Sequence, residues 1–215
     1  MQQIVLTSLF LIISTANLIA QDPHRFDEDM AKFAEMPIPK EKGLTIFTGS
    51  SSIRFWENLS DDCNEVVAIN TAFGGSHMSD LLYFIDQTVI RFQPETVYIY
   101  EGDNDIASEK KPENILKTAK QITAKILASN SKTKIYFISA KPSPSRWQYK
   151  EQYLAFNSLL KAYCDSNQQL SYIDVWNPML APNGRPISKI FIEDSLHMNR
   201  QGYLLWKDII CSTTK

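Results

Sequence analysis

Five short apolar runs, at residues 44–48, 66–70, 96–100, 134–139 and 170–174, constrain the fold of this chain more than any other feature. They are rich in Ile, Val, Tyr and Phe, and most do not alternate apolar with polar residues. A strand with one wet face alternates; a strand covered on both faces does not, so these runs read as strands of a buried parallel sheet. The segments between them carry the helical period instead. Leu81, Ile85, Val89 and Phe92 fall at i, i+4, i+8 and i+11, and Ile115, Ala119, Ile122 and Ile126 at i, i+4, i+7 and i+11. Each set lines one face of a helix. Pro112 opens the second of these helices, where its missing N–H costs nothing. Tyr153, Phe156, Leu160 and Tyr163 make a third stripe, and Tyr203, Trp206 and Ile210 a fourth. Parallel neighbours require right-handed crossovers, so the alternation predicts a three-layer α/β/α sandwich around a five-stranded parallel sheet, with Trp56 and Trp206 as core aromatics.

The N-terminus reads differently. Residues 4–13 are mostly apolar and are followed by Ser14, Thr15 and Asn17. Such a stretch is too short to span a bilayer and reads as the apolar core of a signal peptide, cleaved after Ala20. The expectation is a signal peptide at residues 1–20, one domain at 21–215, and export to the periplasm or the extracellular space; the alternative is an N-terminal core helix. Residues 22–42 include Pro23, Pro37 and Pro39, and read as a lead-in helix followed by an arm. The net charge is -2 with no basic stripe, which argues against a nucleic-acid partner, and no cysteine or polybasic patch supplies a stable membrane anchor. The three cysteines, Cys63, Cys164 and Cys211, have no metal-ligand spacing and allow at most one internal disulfide, in any pairing.

In an open α/β sheet, ligands bind at the carboxyl ends of the strands. Gly49-Ser50-Ser51-Ser52 follows the first strand, Gly74-Gly75 lies shortly after the second, and Gly102-Asp103-Asn104-Asp105 follows the third. Taken singly, a serine-rich turn is often a helix cap, and Asp-Asn-Asp an ordinary turn. The Asp-Asn-Asp stretch lacks the closing Glu of a calcium loop. Near the C-terminus, Asp194-Ser195-Leu196-His197 supplies a base: an Asp three residues before a His can hold one imidazole nitrogen and leave the other free for a serine hydroxyl. His77 is a second candidate base without a carboxylate at a fitting spacing, and His24 lies in the N-terminal arm. The three scattered histidines do not suggest a metal site.

These four blocks, Gly49-Ser50-Ser51-Ser52, residues 70–75, Gly102-Asp103-Asn104-Asp105 and Asp194-x-x-His197, resemble in order and spacing those of the SGNH hydrolases, also called GDSL esterases. Ile53-Arg54-Phe55-Trp56, the stretch 141–147 and the stretch 197–203 look like an exported bacterial branch of that family. The resemblance implies an SGNH or flavodoxin-like fold, Ser51 as nucleophile, His197 as base and Asp194 as its partner. It further implies an oxyanion hole made of the N–H of Ser51, the N–H of Gly75 and the amide of Asn104, with no metal and no organic cofactor. One position departs from the pattern: the usual Asp before the nucleophile is Ser50, which leaves three adjacent serines that only the resemblance tells apart. Ile53 stands where an α/β-hydrolase elbow would have its last glycine, which argues against that fold.

The expected reaction is ester hydrolysis through an acyl-enzyme, on a small-molecule or glycan ester. Activity should rise with pH across the range where histidine titrates, about pH 5 to 8, because the base must be neutral. Arg146 and Trp147, in a loop stiffened by Pro142 and Pro144, are candidate substrate-binding residues, Trp147 as a platform for a sugar ring and Arg146 for an anionic group. The favoured substrates are small acyl groups, acetyl above all, on carbohydrate. A lysophospholipase or general lipid acylhydrolase is the second reading, and a non-catalytic glycan-binding protein on the same fold is the third.

Overall fold

The computed structural model describes residues 22–40 and 43–214. The expected signal peptide lies outside the described residues. In chain order the elements are α1 (Asp27–Glu35), β1 (Leu44–Gly49), α2 (Ser51–Arg54), α3 (Leu59–Asp62), β2 (Val67–Asn70), α4 (Met78–Thr88), β3 (Thr96–Tyr100), α5 (Asp103–Ala107), α6 (Pro112–Ser129), β4 (Lys134–Ile138), α7 (Lys150–Asp165), β5 (Leu170–Ile173) and α8 (Arg200–Ile210). The five strands form one wholly parallel sheet in the order β2-β1-β3-β4-β5. The chain therefore leaves β1 toward β2 on one side and reaches β3 on the other. That reversal opens a crevice at the carboxyl ends of β1 and β3, where open α/β sheets bind ligands.

Successive strand residues point to opposite faces, and both faces are covered. Ile46, Val97, Ile99, Ile135 and Phe137 pack beneath α1, α4, α6 and α7. Phe47, Tyr98, Tyr100, Ile138 and Ile173 pack beneath α2, α3 and α8, together with Trp56 and Trp206. On this second face Phe47, Tyr98 and Tyr136 sit opposite one another on β1, β3 and β4 and stack in a row, with ring centroids 4.5 and 4.7 Å apart. The apolar stripe from Leu81 to Phe92 outlasts its helix: α4 stops at Thr88, Val89 leaves helical geometry, and Phe92 is reached through a 3-10 turn.

The second layer is stapled. Cys63, after α3, is bonded to Cys211 at the end of α8, with Cα atoms 5.0 Å apart, while Cys164 is a buried free thiol. Beside the disulfide, the buried Asp62 accepts from the Trp56 indole at 2.8 Å and pairs with both terminal nitrogens of Arg200. The lead-in segment joins the first layer, with Phe26 against Phe73 and Arg25 donating to Asp80 at 2.6 Å. Among the described residues, no helix is long and apolar enough to cross a membrane.

Candidate active site

β1 ends at Gly49 because nothing larger fits there. Its φ is 121°, and a Cβ would lie 2.0 Å from the carbonyl oxygen of Tyr100 on the neighbouring strand. The chain then turns sharply into α2, and Ser51 becomes the first residue of that short helix. The first N–H groups of a helix have no intrahelical acceptor, and the Ser51 N–H is one of them. Asn70, at the end of β2, steadies this turn: its amide donates to the Ile53 carbonyl at 2.7 Å and its oxygen accepts from the Ala72 N–H.

The three adjacent serines separate clearly. Ser50 and Ser52 are buried, and Ser51 is the one beside the base, its Oγ 2.9 Å from His197 Nε2. On the far side of the ring, His197 Nδ1 lies 2.6 Å from Asp194 Oδ2. An ionised carboxylate only accepts, so Nδ1 carries the hydrogen and Nε2 is left to accept from Ser51. Asp194 also accepts from the backbone N–H groups of Leu196 and His197, both at 2.9 Å. Partial burial opposes ionisation, but the N–H of Leu196 and then the ring and N–H of His197 outweigh it, holding Asp194 down at about 2. Asp194 does not cap the following helix, because Asn199 does. The exposed Phe55 packs edge-on to the His197 ring, with centroids 5.1 Å apart.

Asn104 stands across the cleft from this pair. Its amide nitrogen donates to Ser50 Oγ at 2.8 Å and to the Ser76 carbonyl at 2.9 Å, and its oxygen accepts from Arg146 Nη2 at 2.9 Å. Gly75, at φ 79°, lines the same cleft with Ser51, Arg54, Gly74, Asn104, Arg146 and His197, around a volume of about 360 Å³. The structure thus brings Ser51, Gly75, Asn104, Asp194 and His197 to one crevice at the end of β1 and β3.

The other two candidates, Arg146 and Trp147, both have protein partners. Arg146 lines the cleft, but its guanidinium is engaged by protein: it donates to Asp103 Oδ1 at 2.5 Å and to Asn104. Trp147 stacks on Trp176 at 5.9 Å, with the Lys150 and Arg185 cations near its face, and is not among the cleft-lining residues. Two aromatic rings bury area by stacking on each other, so one face of the Trp147 ring is covered by protein. His77 is buried at the start of α4, where it and Asp80 form a reciprocal cap.

Sequence reasoning passed over a buried polar layer beneath Asn104. Asp103 accepts from the Tyr100 hydroxyl at 2.8 Å, from the Tyr153 hydroxyl and from Lys141 Nζ at 3.3 Å. Burial opposes its charge, yet Lys141, then Arg146 and the Tyr153 hydroxyl hold Asp103 far below the usual carboxylate range. Glu101 is also buried, 2.5 Å from Ser76 Oγ; burial first, and the Asp105 carboxylate second, push it well above the usual range. The one visible signal was Lys141 itself, a charge placed between Ala140 and Pro142 at the end of an apolar strand. Among the described residues, no group of three or more His, Cys, Asp or Glu is placed to hold a metal ion.

The sequence profile of the GDSL-like Lipase/Acylhydrolase family matches residues 43–205. No curated protein matches this chain. Among solved structures, a proposed acylhydrolase from Bacteroides fragilis superposes with a TM-score of 0.78 at 21% identity, covering 91% of this chain and 98% of that one. A GDSL-like lipase from Bacteroides thetaiotaomicron gives 0.75 at 19% identity, covering 90% and 98%. A carbohydrate esterase family 3 protein from Talaromyces cellulolyticus gives 0.60 at 15%, covering 79% and 95%. At these identities the likeness shows the fold.

Proposed function

Because the chain belongs to the GDSL-like lipase/acylhydrolase family, we propose that it is an exported serine esterase that removes small acyl groups from carbohydrate esters. The observation that carries the chemistry is the run Ser51 Oγ, His197 Nε2, His197 Nδ1, Asp194 Oδ2, linked at 2.9 and 2.6 Å. A serine hydroxyl becomes a nucleophile when a neutral, oriented base stands within hydrogen-bond reach. Ser51 attacks the ester carbonyl as His197 takes its proton, and Asp194 stabilises the imidazolium that results. The developing oxyanion is met by the N–H groups of Ser51 and Gly75 and by the Asn104 amide, which redirects to it the hydrogen bond it otherwise gives to Ser50 Oγ. His197 then protonates the leaving alcohol. Water, activated by the same imidazole, releases the acid and restores Ser51.

The small size of the cleft, about 360 Å³, favours a short acyl group. Ser51, Arg54, Gly74, Gly75, Asn104 and Arg146 are polar or small, and only Phe55 and Leu196 among the lining residues are apolar. The carbohydrate esterase among the structural relatives agrees with a sugar as the alcohol. The apolar stretch at residues 4–13 and the Cys63–Cys211 disulfide support export to an oxidising compartment. A lipid acylhydrolase is the second reading, favoured by Phe55 and Ile192, which stand 46% and 49% exposed beside His197.

The test is hydrolysis of p-nitrophenyl esters from acetate to octanoate by the parent protein beside Ser51→Ala, Ser50→Ala and Ser52→Ala. Loss of turnover in Ser51→Ala, with a steep preference for acetate, is expected. A preference for octanoate would move the assignment to lipid esters. Equal rates in all four proteins would remove the esterase reading and leave a glycan-binding one.

A further inference from the structure

The two halves of the site come from distant parts of the chain, and one buried carboxylate ties them together. Asp103 holds two cations from the loop between β4 and α7, Arg146 and Lys141, with side chains 18% and 0% exposed. Each cation reaches past Asp103 to a different half. Arg146 gives its second terminal nitrogen to the Asn104 oxygen at 2.9 Å. An amide held at its oxygen by a guanidinium cannot turn over, so its nitrogen must face Ser50 and Ser76. Lys141 Nζ donates at 2.9 Å to the carbonyl of Leu196, the residue before His197. The same loop supplies a third link, from the Ser145 N–H to the Ser195 carbonyl at 3.1 Å. Ser195 needs holding, because its φ of 57° lies in the left-handed region that a serine adopts only under constraint.

From this geometry we propose that Asp103, Arg146 and Lys141 form a clamp that positions the oxyanion donor Asn104 through Arg146 and the base His197 through the Leu196 carbonyl. All three act as positioning residues. The proposal rests on the serine-esterase reading for its kinetic consequences, and on the fold alone for its structural ones.

Asp103→Asn would leave two buried cations without their counter-charge and is a poor probe for that reason. Arg146→Lys is the better one: a lysine can pair with Asp103 but lacks the fork that reaches Asn104 as well. With p-nitrophenyl acetate, Arg146→Lys is expected to lower kcat about 10- to 100-fold, part of what removing an oxyanion donor costs, with KM within about twofold. In an Asn104→Ala background the same substitution is expected to cost less than about twofold, since its target is gone. Lys141→Met keeps the stem volume and acts on His197. Its loss, about 10-fold in kcat, is expected to multiply with that of Asn104→Ala. A crystal structure of Arg146→Lys reads the clamp without any substrate, and the Asn104 amide is expected to have turned from the Ser76 carbonyl. An unmoved amide, a loss for Arg146→Lys that is undiminished in the Asn104→Ala background, or a raised KM at full kcat would overturn the proposal, the last by returning Arg146 to direct substrate contact. A turned amide in a protein whose parent form cleaves no ester would keep the clamp and sink the esterase reading.

Discussion

On one side of Ser51 lie Asp194 and His197, three residues apart in a single turn, with side chains 41% and 22% exposed. On the other lies Asn104, oriented by groups drawn from the turn after β1, the β2–α4 connection and the β4–α7 loop, over a layer of buried ionisable residues. The first flank is local in sequence and wet, and its carboxylate competes with water for the imidazole. The second is long-range and dry, and each of its polar groups is costly to leave without a partner. The two flanks should therefore fail in different ways.

Removing a member of each is the sharpest test. His197→Ala is expected to lower kcat about 10⁴-fold or more, because the nucleophile loses its base. Asn104→Ala is expected to lower it about 10²- to 10³-fold. Stability should rank them in the opposite order. His197 makes its main contacts in its own exposed turn, whereas Asn104→Ala leaves Arg146 Nη2, Ser50 Oγ and the Ser76 carbonyl short of a partner. Thermal melting beside the kinetics checks this, and a larger fall in Tm for His197→Ala would break the contrast.

The same difference explains what the sequence disclosed. The strands expected at 44–48, 96–100 and 134–139 appear as Leu44–Gly49, Thr96–Tyr100 and Lys134–Ile138, because a strand buried on both faces leaves an unbroken apolar run. Asp194 and His197 were legible because their pairing is a spacing of three within one turn. Ser51 could not be told from Ser50 and Ser52 by residue type. What separates them is the turn forced by Gly49, which buries two hydroxyls and aims the third at His197. The Asp103 cluster stayed hidden because its members join the loops after β3 and β4, and a lysine or arginine in a loop looks solvated until the fold closes over it. The stacking of Trp147 on Trp176 was hidden for a related reason, since Trp176 belongs to the loop after β5.

The disulfide offers a way to loosen one flank alone. Cys63–Cys211 ties α3 to the end of α8, the helix that begins three residues after His197. Cys63→Ser with Cys211→Ser is expected to cost about 2–4 kcal/mol, since the bond constrains a long loop in the unfolded chain. At about 2–4 °C per kcal/mol, Tm should fall by several degrees. Hydrogen exchange should show protection lost first in α8 and the turn before it, with Tyr100 and Asp105 still protected. Loss at the same rate on both flanks would show that the layers unfold as one unit and that the division around Ser51 is chemical only.

The smallest expected effect probes the dry flank through protonation. Ser76 Oγ lies 2.9 Å from the Phe73 carbonyl and 2.5 Å from Glu101 Oε1. A hydroxyl has one hydrogen and the Phe73 carbonyl can only accept, so if that hydrogen goes to Phe73, the second bond needs its hydrogen from Glu101. A neutral Glu101 supplies it, in keeping with the rise that burial and the neighbouring Asp105 impose on this group. Asp194 on the wet flank stays ionised down to about 2, whereas on the dry flank Glu101, unlike its neighbour Asp103, is raised well above the ordinary carboxylate range. For a group raised in the folded state, stability is fully present below the unfolded pKa and is lost as pH rises toward the folded one. Glu101→Gln stays neutral throughout and can donate to Ser76 Oγ in the same way, at the cost of one extra buried N–H. Its Tm relative to the parent is therefore expected to be slightly lower at pH 5 and to climb by a few degrees by pH 9. A difference that stays constant across that range would mean that Glu101 is ionised in the folded protein, and that the dry flank is held by charge on both sides of Asn104 rather than by a neutral acid.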